Sequence, residues 1–273
     1  MAGKAANETG GVTRGMIDTL HLGLGALSGA LVGFTLGLVG GGGSILAVPL
    51  MVYLVGVNSP HVAIGTSALA VAANAATGLL QHARDHNVRW RCGYMYAGAG
   101  ILGALAGSTL GKNFDGQKLL FLFALLMIMV GALMLRSRKA EGTPGAACNR
   151  RNAPKVLGYG LGTGAFSGFF GIGGGFLIVP GLIASTDMIM INAVGTSLIA
   201  VTAFGLTTAA NYALSGLVDW ALAAVFILGG IGGGYFGTRL AKRLSGGGQL
   251  KTVFAGLIFV VAIYMLWKSW NAL

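Results

Sequence analysis

The sequence predicts an all-α polytopic membrane protein made of two inverted-topology repeats, with about 8–10 transmembrane segments and glycine-broken short helices among them. Three observations carry this. First, 55% of the 273 residues are hydrophobic, only 9% are charged and the mean hydropathy is +0.77. A soluble domain of this size needs far more charge to cover its surface. Second, apolar stretches recur that are long enough to cross ~30 Å of hydrocarbon. Third, the chain repeats itself. GGGGSILAVP at 40–49 returns as GIGGGFLIVP at 171–180, Gly65-Thr66-Ser67 as Gly195-Thr196-Ser197, and Val88-Arg89-Trp90 as Val218-Asp219-Trp220. A duplicated, glycine-interrupted apolar unit is the pattern of a secondary transporter.

Taken in order, residues 1–20 are polar and lack an apolar core, so no cleavable signal peptide is expected and the first span serves as the insertion signal. The first repeat, 21–135, offers apolar segments at 21–39, 44–57, 61–81, 91–111 and 118–135. The second, 156–273, offers 156–170, 175–186, 188–214, 220–241 and 250–270. The second segment of each half is too short for a straight crossing, so it either crosses as half of a broken helix or re-enters. Between the repeats, 136–155 reads as a basic cytoplasmic linker: Arg136, Arg138, Lys139, Arg150, Arg151 and Lys155 face only Glu141, and Thr143-Pro144-Gly145 interrupts any helix.

The loop charges bear on orientation. Arg84 and Arg89 mark the 82–90 loop as internal, whereas its repeat mate 215–219 carries Asp219 and no cation. Arg239, Lys242, Arg243 and Lys251 mark 239–251 as internal against its mate 112–118. Corresponding loops thus differ as opposite orientations require, with an odd number of crossings per half. Lys4 and Arg14 are offset by Glu8 and Asp18, which leaves the side of the N-terminus open.

Most of the 49 glycines read as packing. Gly25, Gly29, Gly33 and Gly37 recur every fourth residue, as do Gly160, Gly164 and Gly168 in the other half, and such stripes let two helices approach closely. The contiguous clusters differ. They break a helix and leave N–H groups free beside a protein-lined cavity. A helix restarting at Ser44 or Gly175 aims its positive end at the gap, which suits an anion, and two such ends would converge near the midplane. The substrate-binding candidates are therefore Gly41, Gly42, Gly43, Ser44, Gly173, Gly174 and Gly175, with the hydroxyls of Thr66, Ser67, Thr196 and Ser197. Against them stand a glycine hinge without ligand, and hydroxyls bonded back to their own helix. The amides Asn74, Gln81 and Asn211 are secondary candidates, each also explained by a bond to a neighbouring helix.

The doubled glycine block, its proline and the following GTS resemble the TauE/SafE family of sulfite and sulfonate exporters, over 22–270. That resemblance implies a multi-pass plasma-membrane transporter, of the bacterial inner membrane, for a small sulfur-containing or organic anion such as sulfite, a sulfonate or a carboxylate. Ser44 against Gly175 and Gly41 against Ile172 make the two half-sites chemically unequal.

The remaining residues narrow the function. The net charge of +11 is spread over loops, without the basic stripe that binds nucleic acid. No Asp or Glu lies inside a span, which argues against carboxylate-based proton coupling. His61 and His82 flank the third segment as interfacial histidines, and Arg84, Arg89 and Arg91 either steer an anion or set topology. Lys112 lacks the spacing of a phosphate-binding loop. No metal or cofactor site is expected, and no nucleophile–base pair that would make this an enzyme. Cys92 and Cys148 have no ligand spacing and read as free thiols. The partners expected are a small anionic solute and the lipid bilayer. The leading function is transport by alternating access between the two repeats; the alternative is a passive anion channel.

Overall fold

The computed structural model describes residues 21–38, 40–136, 143, 145–146, 148–171, 175–244 and 249–270. The polar N-terminal segment 1–20, much of the inter-repeat linker, and Gly173 and Gly174 lie outside the described residues.

The first repeat begins with α1 (His21–Leu38). Next comes α2, a composite of 3₁₀ turns over Gly40–Leu46, one α turn over Ala47–Pro49 and a wider π turn over Leu50–Val55. Then follow α3 (Pro60–Arg84), α4 (Trp90–Lys112) and α5 (Gly116–Arg136). The second repeats the order: α6 (Ala153–Phe170), α7 (Gly175–Thr186), α8 (Met190–Ala213), α9 (Trp220–Leu244) and α10 (Gln249–Trp270). Consecutive glycines and Pro49, which cannot donate to the turn before it, explain why α2 holds no single helical pitch.

Among the described residues, α1, α3, α8 and α9 are both long and apolar enough to span a bilayer outright, and α2, α5, α7 and α10 contain shorter apolar helices. α4 and α6 carry glycine stripes, at Gly103, Gly107 and Gly111 and at Gly160, Gly164 and Gly168. The stripes pack on each other and not on lipid: Gly160 lies over Tyr96, Gly164 over Gly100 and Gly168 over Ala104. α1 and α9 meet the same way, with Gly29 over Phe226 and Gly33 over Gly230. In both ladders the residue numbers rise together, so each pair runs parallel.

The helix partners are exchanged between the halves. α1 packs on α9 as α6 packs on α4; α3 lies against α8, α5 against α10 and α2 against α7. The two third helices run antiparallel: Gly65 meets Tyr212, Ala68 and Ala72 meet Gly205, and His82 meets Gly195. Leu102, Leu110, Leu228, Phe236 and Val260 stand exposed on the outside, the reverse of a soluble surface. Trp90, Tyr94, Trp220 and Trp267, exposed near helix ends, match the aromatic belts of a bilayer interface.

One expectation is overturned. Cys92, in the first turn of α4, is joined to Cys148 of the linker by a disulfide, so neither is a free thiol. Sequence spacing gave no hint, because 56 residues, with most of α4 and all of α5, separate them. The parallel packing of α4 on α6 brings the two together. Thr143 further ties the linker to the turn before α8, where its N–H and hydroxyl donate to the Asp187 carbonyl and carboxylate, each at 2.7 Å.

Candidate functional site

The GTS motifs sit at the two ends of the α3–α8 pair and do the same work twice. The Asp219 N–H, at the start of α9, donates to Thr66 Oγ1 at 2.9 Å. The Arg89 N–H, at the start of α4, donates to Thr196 Oγ1 at 2.9 Å. Each repeat's threonine thus satisfies an orphan donor at the beginning of the other repeat's fourth helix. The neighbouring glycine permits the approach: a side chain on Gly65 would strike the Leu217 carbonyl, and one on Gly195 would lie 2.9 Å from the Asn87 carbonyl. The serines bond back into their own helices, Ser67 to the Ile64 carbonyl at 3.1 Å and Ser197 to the Val194 carbonyl at 2.7 Å.

The glycine breaks occupy the same two ends. Gly43 packs against Thr35 and Leu36, and Thr35 Oγ1 donates to its carbonyl at 3.3 Å. Leu36 and Gly37 in turn face Thr77 and Gly78 of α3 across a narrow cavity. Gly171 caps α6 in the left-handed region (φ 67°) and packs on Ile64, in the second turn of α3. Ile64 and Thr77 are separated by about 20 Å of helix, at ~1.5 Å per residue. The breaks therefore do not face one another. α1 spans 18 residues, about 27 Å, before its break, and α6 is equally long, so each break comes at the far end of a full crossing. What the fold brings together is the break of one repeat with the GTS of the other. Gly171 lies beside Ile64 next to Gly65-Thr66-Ser67, and the turns that hold Gly41, Gly42, Gly43 and Ser44 pack against α8, which carries Thr196 and Ser197. Gly175 and Ser44 are both buried.

The three amides separate. Asn211 is fully engaged near the end of α8: its Nδ2 donates to Ser108 Oγ at 2.6 Å and Thr109 Oγ1 at 3.1 Å, and its Oδ1 accepts from Lys112 Nζ at 2.8 Å. Lys112 also donates to the Asn211 carbonyl at 3.1 Å and Ser215 Oγ at 2.9 Å, so an ammonium is held by neutral oxygens at the ends of α4 and α8. Gln81 lines the narrow cavity between α1, α3 and α9. Asn74 lines it too, 2% exposed, with neither amide atom paired.

Sequence reasoning passed over Asn192. With its amide oxygen turned toward Arg89, it accepts from Arg89 Nε at 3.2 Å and Nη2 at 3.1 Å. The only available signal was position, since it opens the segment that carries the second GTS.

The profile of the family described as sulfite exporter TauE/SafE matches residues 25–265. A probable membrane transporter protein of Xylella fastidiosa is 55% identical over 253 residues, covering 90% of this chain and 95% of its own. YdhB of Bacillus subtilis, also a probable membrane transporter protein, is 26% identical over 237 residues, covering 84% and 92%. One from Haemophilus influenzae is 28% identical over 260 residues, covering 89% and 97%. No solved structure matches the chain.

Proposed function

The chain belongs to the sulfite exporter TauE/SafE family, and from that membership we propose that this membrane transporter moves a small sulfur-containing or organic anion by alternating access between two inverted repeats. The relatives are named as membrane transporters, which fits a multi-pass plasma-membrane protein that carries out no covalent chemistry.

One observation carries the mechanism: the same latch is built twice, at opposite faces of one bundle. Thr66 holds the start of α9, and Thr196 holds the start of α4, with equal geometry. Alternating access requires two closures that differ little in energy, so that opening one and sealing the other costs only a few kcal/mol. Inverted copies of one unit supply that near-equality without tuning. The antiparallel run of α3 and α8 and the exchange of α1/α9 for α6/α4 support the inverted reading.

Charge supports the orientation. The face holding the linker carries Arg84, Arg89, Arg91, Arg150, Arg151, Lys155, Arg239, Lys242 and Arg243 at or near helix ends; the opposite face carries Lys112, Lys118 and Lys268. The cationic face is cytoplasmic by the positive-inside rule, which puts the start of α1 and the end of α10 outside. Arg89, oriented by Asn192, stands beside the latch on that face and offers an anion a charge-assisted donor.

Flux into proteoliposomes tests the proposal. Saturable uptake of sulfite, a sulfonate or a carboxylate, with counter-flow of the same solute, is expected. Anion currents without counter-flow would make the protein a channel, and no movement of any of the three would refute the transport reading.

A further inference from the structure

Resting on that transport reading, we propose that the solute site is a single pocket at Asn74, formed by α1, α3 and α9, and that it takes a small oxyanion of the sulfite type. Asn74 lies in the middle of α3 and is 2% exposed, and both atoms of its amide lack a hydrogen-bond partner. A buried amide with nothing to bond costs about 1–3 kcal/mol, a cost that a bound solute would offset.

The surroundings make room for it. The amide lies directly against Gly230, where any Cβ would land on it. Gly33, Gly37, Gly78 and Gly234 complete the wall of a water-sized cavity of about 10 Å³, which must widen to admit a solute. The nearby hydroxyls are spent within their own helices: Thr77 donates to the Asn74 carbonyl at 2.8 Å and Thr238 to the Gly234 carbonyl at 2.9 Å. Asn74 thus offers the pocket an unpaired amide, with His82 of α3 and Leu198 of α8 also on its wall. Gln81 lines it about two turns further along α3, toward the cationic face. The glycine contacts between α1 and α9 are backbone on backbone, so these helices can part without side-chain repacking, and the pocket widens as they do.

The other repeat supplies the comparison that singles this pocket out. The offset that carries Thr66 to Thr196 carries Asn74 to Phe204, and Gly100 to Gly230. At the mirror position, between α4, α6 and α8, the Phe204 ring fills the space over Gly100. One copy of the duplicated cavity is plugged by an aromatic ring; the other keeps a polar group with no protein partner. No carboxylate lines the pocket, so an anion meets no like charge there. A solute at this depth also lies between the two threonine latches, as alternating access demands.

The test uses Asn74→Cys with two small thiol reagents, an alkylthiosulfonate bearing a sulfonate and its trimethylammonium counterpart. The anionic reagent should label the cysteine, methanesulfonate, which reacts with neither the reagent nor the disulfide, should slow that labelling at least tenfold, and the wild type should stay unlabelled. In proteoliposomes Asn74→Leu should lower sulfite flux about ten- to a hundredfold, the loss of one hydrogen bond to a charged group. Labelling by neither reagent would make the cavity a sealed packing void, and labelling by the cationic reagent alone would make it a cation site; either overturns the proposal. Wild-type flux undiminished in Asn74→Leu would overturn it while leaving the transport reading standing. Absence of flux in the wild type would sink the transport reading, and the labelling would still decide the pocket.

Discussion

Adding one methyl to α6 at two neighbouring glycines should give opposite results. Gly164 faces α4. A Cβ there would lie 2.6 Å from the Gly100 Cα and 2.7 Å from its carbonyl carbon. Those atoms are backbone and cannot rotate away, so α6 must withdraw by about 1 Å, a gap that already forfeits a quarter to a half of each van der Waals well it opens. Gly162, half a turn earlier, meets nothing within 4 Å. Both substitutions gain the same helix propensity, about 1 kcal/mol from Gly to Ala. The difference between Gly164→Ala and Gly162→Ala therefore isolates the overpacking, about 1–3 kcal/mol. At about 2–4 °C per kcal/mol for a chain of this size, the melting temperatures should separate by about 3–10 °C, with Gly164→Ala the lower. Heating purified protein in detergent and measuring the surviving monodisperse fraction reads this directly. Equal stability, or a more stable Gly164→Ala, would refute the ladder of backbone contacts between α4 and α6.

Three further outcomes are expected. Thr66→Ala and Thr196→Ala should each cost about 1 kcal/mol, and because the latches lie at opposite ends of α3 the double variant should show the sum; serine at either position should restore most of the loss, and no change on thermal melting would remove the latch. Purified, air-oxidised protein should take up no alkylating reagent on denaturation without reductant, and Cys92→Ser with Cys148→Ser should cost about 4 kcal/mol on the chain-entropy account of a loop closed across 56 residues; two alkyl groups on the oxidised protein would rule the bond out. A reporter fused after Leu273 should read as external, with alkaline phosphatase active and a green fluorescent protein dark; the reverse would invert the assigned orientation.

The parts of the fold that repeat in sequence were legible, and the parts that depend on which helix meets which were not. Every-fourth glycines on 25–37 and 160–168 announced close crossings because small residues have one main use in a lipid-facing helix. The partners of those stripes, α9 and α4, carry stripes of their own, but nothing local says that each pairs across the repeats. The same blindness misplaced the glycine breaks. Two similar glycine blocks in duplicated halves suggest a meeting at the middle, yet α1 and α6 each run 18 residues first, and the breaks fall at opposite ends. It also hid the disulfide, whose cysteines are brought together only by the α4–α6 pairing.

The repeat explains the scaffold, and one breach of it, Asn74 opposite Phe204, points to the solute. Duplicated latches, duplicated ladders and duplicated breaks are what a machine with two equivalent closures needs. A solute, by contrast, needs one place to sit and a reason to be there. Had both mirror cavities kept an asparagine, the bundle would carry two unpaired amides at a cost of about 1–3 kcal/mol each. Had both been filled by phenylalanine, no donor would face the middle of the bilayer between the latches. Asn74 opposite Phe204 is the arrangement that keeps one polar site and seals its twin. It follows that exchanging the pair, Asn74→Phe with Phe204→Asn, should move the polar cavity from the α1–α9 side to the α4–α6 side. Fold and thermal stability should survive within the spread of volume-conserving core changes, about 1.5 kcal/mol, because the same two side chains face the same two glycine walls. With cysteine as the reporter, labelling by the anionic reagent should move from position 74 in Asn74→Cys to position 204 in Asn74→Phe with Phe204→Cys; a folded Asn74→Phe/Phe204→Cys protein that stays unlabelled at 204 would show that the walls, and not the residue facing them, define the site.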